Sequence, residues 1–115
     1  MRVAVHEIVF PDFDQGAAFD PEDCVQLVEI TAGPSDGPGS ELFQATVCTP
    51  AALSRMLASG EVLAGRHWLF VESFNPTLVD RFLRKLINNI EGRDWREAAI
   101  KLGQLAQYEF EDYTQ

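Results

Sequence analysis

Between Glu41 and Pro50 the chain reads ELFQATVCTP, with Phe43, Ala45 and Val47 alternating against Gln44, Thr46 and Cys48. That is the two-residue period of a strand with unlike faces. The alternation stops at Thr49-Pro50, which predicts a helix start: the hydroxyl can accept a first-turn amide, and proline lacks the N–H that would need a partner. Leu53, Met56 and Leu57 then form the apolar side of a short helix that stops at Gly60. Upstream, Cys24 to Thr31 has strand character, and GPSDGPGS at 33–40 is dense in turn formers, so the two strands are expected to pair as a hairpin. Pairing Val25 with Val47 and Leu27 with Ala45 would gather apolar side chains on one face and oppose Cys24 to Cys48 on the other.

Arg2 to Phe10 predicts a first strand ended by Pro11, with Val3, Val5 and Val9 on one side and Ala4, Ile8 and Phe10 on the other. In RHWLFVESF, Arg66 to Phe74, apolar groups on both faces predict an interior strand, with Trp68, Phe70 and Phe74 sharing one side and Leu69 and Val71 the other. Asn75-Pro76 opens the clearest helix, where Leu78, Val79, Phe82, Leu83, Leu86, Ile87 and Ile90 recur at helical spacing up to Gly92. Asp94 and Glu97 form a capping-box pattern. It opens a last helix with a narrower stripe of Trp95, Ala98, Ala99, Leu102, Leu105 and Ala106, inside which Gly103 costs up to about 1 kcal/mol or permits a close approach. Phe82 and Trp68, on the most apolar helix and strand, are expected in the core. The expected fold is α+β, a single domain over residues 1–115. A mainly antiparallel sheet of about four strands would pack with two longer C-terminal helices and one short helix.

A hydrophobic content of 46% in 115 residues allows one core without disulfides or metal. His6 and Glu7 interrupt the first apolar run, so neither a signal peptide nor a membrane span is expected. A cytoplasmic address follows, in which Cys24 and Cys48 stay reduced. No cofactor or metal motif stands out: the glycine-rich loop lacks the GK[ST] of a phosphate cradle, and the acidic stretch after Pro11 lacks the ligand spacing of an EF-hand. His67 is a lone strand histidine and His6 is remote from it in sequence. With no nucleophile, base and orienting group at interpretable spacing, an enzyme is not expected.

Charge changes the picture because it is uneven. Residues 1–54 hold nine acids against Arg2 alone, residues 55–107 hold eight bases against six acids, and the last eight residues add three acids to complete the net −9. Acid is thus concentrated at the two ends, a field that repels nucleic acid and anionic lipid and favours a basic protein. Solubility alone accounts for such charge in many proteins. Here, however, Asp12, Asp14, Asp20, Glu22 and Asp23 are interleaved with Phe13 and Phe19, and Glu109, Glu111 and Asp112 with Phe110 and Tyr113. Aromatics can anchor while carboxylates stay available, so Asp12, Asp14, Asp20, Glu22, Asp23, Glu109, Phe110, Glu111, Asp112 and Tyr113 are the candidate partner-binding residues.

PDFD and DPED, VCTP at Val47 to Pro50, GRHWLFVE at Gly65 to Glu72, Trp95 and the terminal EFEDY together resemble the bacterial Immunity protein 8 family over nearly the whole chain. The family often has tryptophan before EFEDY, where Tyr108 stands here, and an aromatic or lysine after CTP, where Ala51-Ala52 stands. The resemblance implies a cognate immunity protein of a polymorphic toxin system, which binds the toxin's C-terminal domain in the cytoplasm and covers its active surface. It implies no catalysis. A basic nuclease would suit the acidic surplus, with carboxylates standing where phosphates bind. A general acidic adaptor without a toxin partner is the alternative reading of the same surface, and an adjacent secreted-toxin gene would separate the two.

Overall fold

The computed structural model describes residues 1–109. In chain order the elements are β1 (Val3–Val9), β2 (Val25–Pro34), β3 (Glu41–Cys48), α1 (Pro50–Leu57), β4 (Trp68–Phe70), α2 (Pro76–Ile87), α3 (Trp95–Leu102) and β5 (Gln107–Tyr108). They form an α+β fold around one mixed sheet in the order β1-β2-β3-β4, with β5 also paired to β3. β1 to β3 are antiparallel neighbours. β4 runs parallel to β3, since the chain returns through α1 rather than a tight turn. β4 and β5 share the outer edge of β3, beside Thr46–Cys48 and Phe43–Gln44 respectively.

The hairpin forms one residue out of the expected register: Val25 lies opposite Cys48, Gln26 opposite Val47 and Val28 opposite Ala45. A slip of one flips every side chain. Val28, Ile30 and Ala32 therefore join Phe43, Ala45 and Val47 in the core, while Val25 is exposed. The reason lies further along the strand, where the register that buries Ile30 beside Phe43 outweighs the gain from burying Val25 and Leu27. At the turn Gly33 is buried against Gly39, and any Cβ on Gly33 would run into the Gly39 carbonyl. Gly39 itself has φ +101, a conformation that excludes most side chains.

Thr49 does not cap α1. Fully buried, its hydroxyl accepts from the Cys24 amide at 3.0 Å and donates to the Cys24 carbonyl at 3.3 Å. The Thr49 amide also reaches the Cys24 carbonyl at 3.2 Å, so the threonine extends the β2–β3 ladder by one step. Cys24 thus faces Thr49 rather than Cys48, and both cysteines are free thiols. Burial raises the pKa of each thiol, with Asp20 and Asp23 adding to the rise at Cys24, so both are weak nucleophiles.

A register shift between Val5 and Glu7 divides β1. Beyond this bulge Ile8 and Phe10 turn to the core and Val9 becomes exposed, in place of the uninterrupted alternation expected. The stretch expected to be an interior strand is a three-residue edge strand, with Leu69 against the core and Phe70 57% exposed. Phe74 lies beyond it and is buried. α1 buries only Ala52, and Leu57 is exposed.

α2 starts as its sequence predicts, with the Asn75 side chain accepting from the Thr77 and Leu78 amides. Val79, Leu83 and Ile87 enter the core, but Leu78, Phe82 and Leu86 face solvent, so Phe82 is not a core residue. Asp94 caps α3 through the Glu97 amide. That helix ends at Leu102 with Gly103 as its C-cap, so it has the same length as α1 and the glycine costs it no interior residue.

Candidate functional site

Phe13, Phe19 and Phe10 set their rings edge-on to each other or to buried Phe74, with centroids 5.0–6.3 Å apart. This cluster pins the acidic connection that runs from Pro11 to Asp23. The Phe74 amide donates to the Pro21 carbonyl at 2.7 Å, closing the attachment. Within the connection, Asp14 Oδ1 accepts from the Gly16 amide at 2.8 Å and Asp20 Oδ1 from the Glu22 amide at 2.9 Å. Both are side-chain turns of the kind aspartate favours. A segment held this way loses little conformational freedom when a partner arrives.

Its five carboxylates are not equivalent. Asp23 is paired with Arg55 at 2.6 Å, and Asp14 and Asp20 each commit one oxygen to a turn. Asp12 and Glu22 are exposed and have no partner among the described residues. Glu109 is also exposed, and its amide donates to the Leu42 carbonyl at 2.9 Å. Leu42 is the second residue of β3, whereas the acidic connection adjoins Thr49, just past the strand's other end. At about 3.3 Å per residue Glu109 and the acidic connection stand roughly 20 Å apart. Phe110, Glu111, Asp112 and Tyr113 lie outside the described residues.

Two further surfaces escaped the sequence reading. One is a cleft of about 830 Å³ between α3 and the β5 side of the sheet, lined by Glu41, Arg66, Trp95, Arg96, Ile100 and Tyr108 among others. Burial pushes the Tyr108 phenol up to about 12, helped by its hydrogen bond to Glu41 and that carboxylate's charge. The Tyr108 ring stacks on Phe43 at 5.2 Å. Beside the cleft His67 ties the β4 edge to the end of α3: with φ +62, its ring Nε2 lies 2.7 Å from the Gly103 carbonyl oxygen and its own carbonyl accepts from the Thr46 amide. It is a structural clamp on the β4 edge, while His6 sits in the bulge of β1 at the opposite edge, so the two histidines form no pair.

The other surface is apolar. A slot of about 380 Å³ opens between β4 and α2, with Phe70, Leu78 and Phe82 among its walls and Glu72 at its rim. Those three apolar side chains are 55–57% exposed, and Leu86 continues the row one turn further along α2. The signal was present in the sequence, because seven apolar positions make a stripe wider than one packing face needs.

Among the described residues, no group of three or more His, Cys, Asp or Glu side chains is placed to hold a metal ion. No described helix is long and apolar enough to cross a membrane. No curated protein and no solved structure shows significant similarity to the chain. A family model described as Immunity protein 8 matches residues 4–113, which takes in every described element from Ala4 onward and the VCTP, GRHWLFVE and EFEDY segments. By that match the chain belongs to the Immunity protein 8 family.

Proposed function

We propose that the chain is a cytoplasmic immunity protein that binds the C-terminal domain of a cognate toxin and silences it by covering its active surface. The observation that carries this reading is the near-complete family match, which implies an immunity protein directed against a toxin. The protein acts as a stoichiometric inhibitor and not as a catalyst. Its contact surface includes the acidic connection, where the Asp12 and Glu22 carboxylates have no partner among the described residues, on a segment braced by four phenylalanines. Asp14, Asp20 and Asp23 add field at the same place. A toxin with a basic active surface, such as a nuclease, meets these carboxylates where its substrate's phosphates would lie. Glu109 opens the second acidic segment, and a partner touching both Glu109 and the connection must span the length of β3.

The test is expression of the toxin domain encoded beside this chain's own gene in a bacterial host, with and without the 115-residue chain. Growth arrest relieved by the chain, together with a one-to-one complex on size exclusion, is the expected result. Undiminished arrest and no complex would overturn the reading. Replacing Asp12, Asp14, Asp20 and Glu22 with their amides should slow association and flatten its salt dependence, because rim charges act chiefly on the encounter rate.

A further inference from the structure

Leu78, Phe82 and Leu86 recur every four residues on the solvent side of α2, and Phe70 faces the first two across the slot. Exposed apolar residues scattered singly carry no message, but a contiguous patch rimmed by charge marks an interaction surface. This patch is contiguous through the slot. It is also framed: Glu72 lines one side, and on the outer flank of α2 stand Arg81 and Lys85, whose side chains have no partner among the described residues. Arg84, by contrast, is held by Asp80 at 2.7 Å. The acidic connection adjoins the same side as Glu72, because Phe74, on which it is pinned, lies between Ser73 and Asn75 of the slot wall.

We propose that this slot is the energetic centre of the toxin-binding surface, taking one or two apolar side chains that protrude from the toxin domain between Phe70 and the Leu78–Phe82 row. The proposal rests on the immunity reading above and deepens it by locating the contact. The charges decide what kind of surface fits. Carboxylates at Glu72, Asp12 and Glu22 call for basic groups on one side of the toxin's apolar knob, and Arg81 and Lys85 call for acidic groups on the other. Such a two-sign rim fixes the partner's orientation, while the desolvated aromatic centre supplies affinity. The acidic connection then steers and orients, and the slot holds.

Binding of the full 115-residue chain to the catalytically inactivated toxin domain encoded beside its gene tests this. Phe70→Ala and Phe82→Ala should each weaken binding by about thirtyfold or more, the loss expected of a central anchor. They should do so mainly by faster dissociation. Val62→Ala trims an even more exposed apolar side chain that does not line the slot, and should leave affinity as in the parent. Arg81→Glu with Lys85→Glu should weaken binding several-fold and more so at low salt. If the parent chain binds and both phenylalanine variants bind equally well, the slot proposal is overturned while the immunity reading stands. A parent chain that does not bind the domain overturns both. If the parent is a dimer that Phe82→Ala dissociates, the slot's occupant is a second copy and the proposal is again overturned.

Discussion

α2 carries two apolar rows one residue apart in sequence, and they meet opposite fates. Val79, Leu83 and Ile87 are 5% exposed or less, whereas Leu78, Phe82 and Leu86 are 55%, 55% and 42% exposed. Residue type does not separate them, since both rows are aliphatic or aromatic and both recur at four-residue spacing. What separates them is the surface opposite. A helix lying on one layer buries a stripe of roughly 100°, and the inner row fills it as part of the same core as Val3, Ile30 and Phe43. The outer row is surplus to folding. It therefore needs a reason outside the chain, and the inner row needs none.

The largest effect should come from the inner row. Leu83 is fully buried, so Leu83→Ala should lower unfolding free energy by about 2–5 kcal/mol through lost transfer energy and the cavity left behind. Urea denaturation measures it directly. A loss below about 1 kcal/mol would mean that α2 does not pack on the sheet through this row, and the contrast would collapse.

Polar groups divide in the same way, and the buried ones matter more. Thr49→Val keeps the volume of a fully buried side chain but removes the hydroxyl that accepts from the Cys24 amide. Leaving that amide without a partner should cost about 1–3 kcal/mol. An unchanged denaturation midpoint would show that another group or water takes over. At the surface, the Asp23–Arg55 pair is 2.6 Å long, yet its side chains are 37% and 57% exposed. Arg55→Ala should therefore cost only about 0.2–1 kcal/mol, shrinking as salt is added. A larger, salt-insensitive loss would show that Arg55 supports the acidic connection by packing as well as by charge.

The contrast also marks where sequence reasoning succeeded and where it failed. Element types were legible wherever local chemistry decided them: the Asn75-Pro76 and Asp94 helix starts both form as expected, and so does the hairpin across the glycine-rich turn. Thr49 was placed at the right junction but in the wrong role, because its hydroxyl has a long-range partner 25 residues away that no local pattern reveals. The hairpin register failed by one residue for a related reason: Val25 and Leu27 look as apolar as Val28 and Ile30, and only packing against the helices chooses between them. β4 looked interior because it is apolar on both faces. The structure puts it at the edge, where its outer ring at Phe70 opens onto a slot instead of a covering layer. In the candidate site, the acidic connection was visible as composition, but the engagement of Asp14, Asp20 and Asp23 depends on turns and an ion pair that composition cannot show. The apolar slot was missed because its residues were assigned to the core.

The smallest effect is the one that most sharpens the contrast. Phe82 is the largest side chain of the outer row, and on sequence alone its truncation would be ranked with core losses of about 3–5 kcal/mol. At 55% exposure it has little left to lose, so Phe82→Ala should change stability by no more than about 0.5 kcal/mol, as surface substitutions do. Alanine's better helix propensity offsets part of even that. Measured beside Leu83→Ala under the same conditions, the two adjacent substitutions should differ several-fold in their effect on the urea midpoint. Equal losses would mean that the outer row is covered within the chain itself. It would then be core after all, leaving no apolar surplus on α2 for a partner to bind.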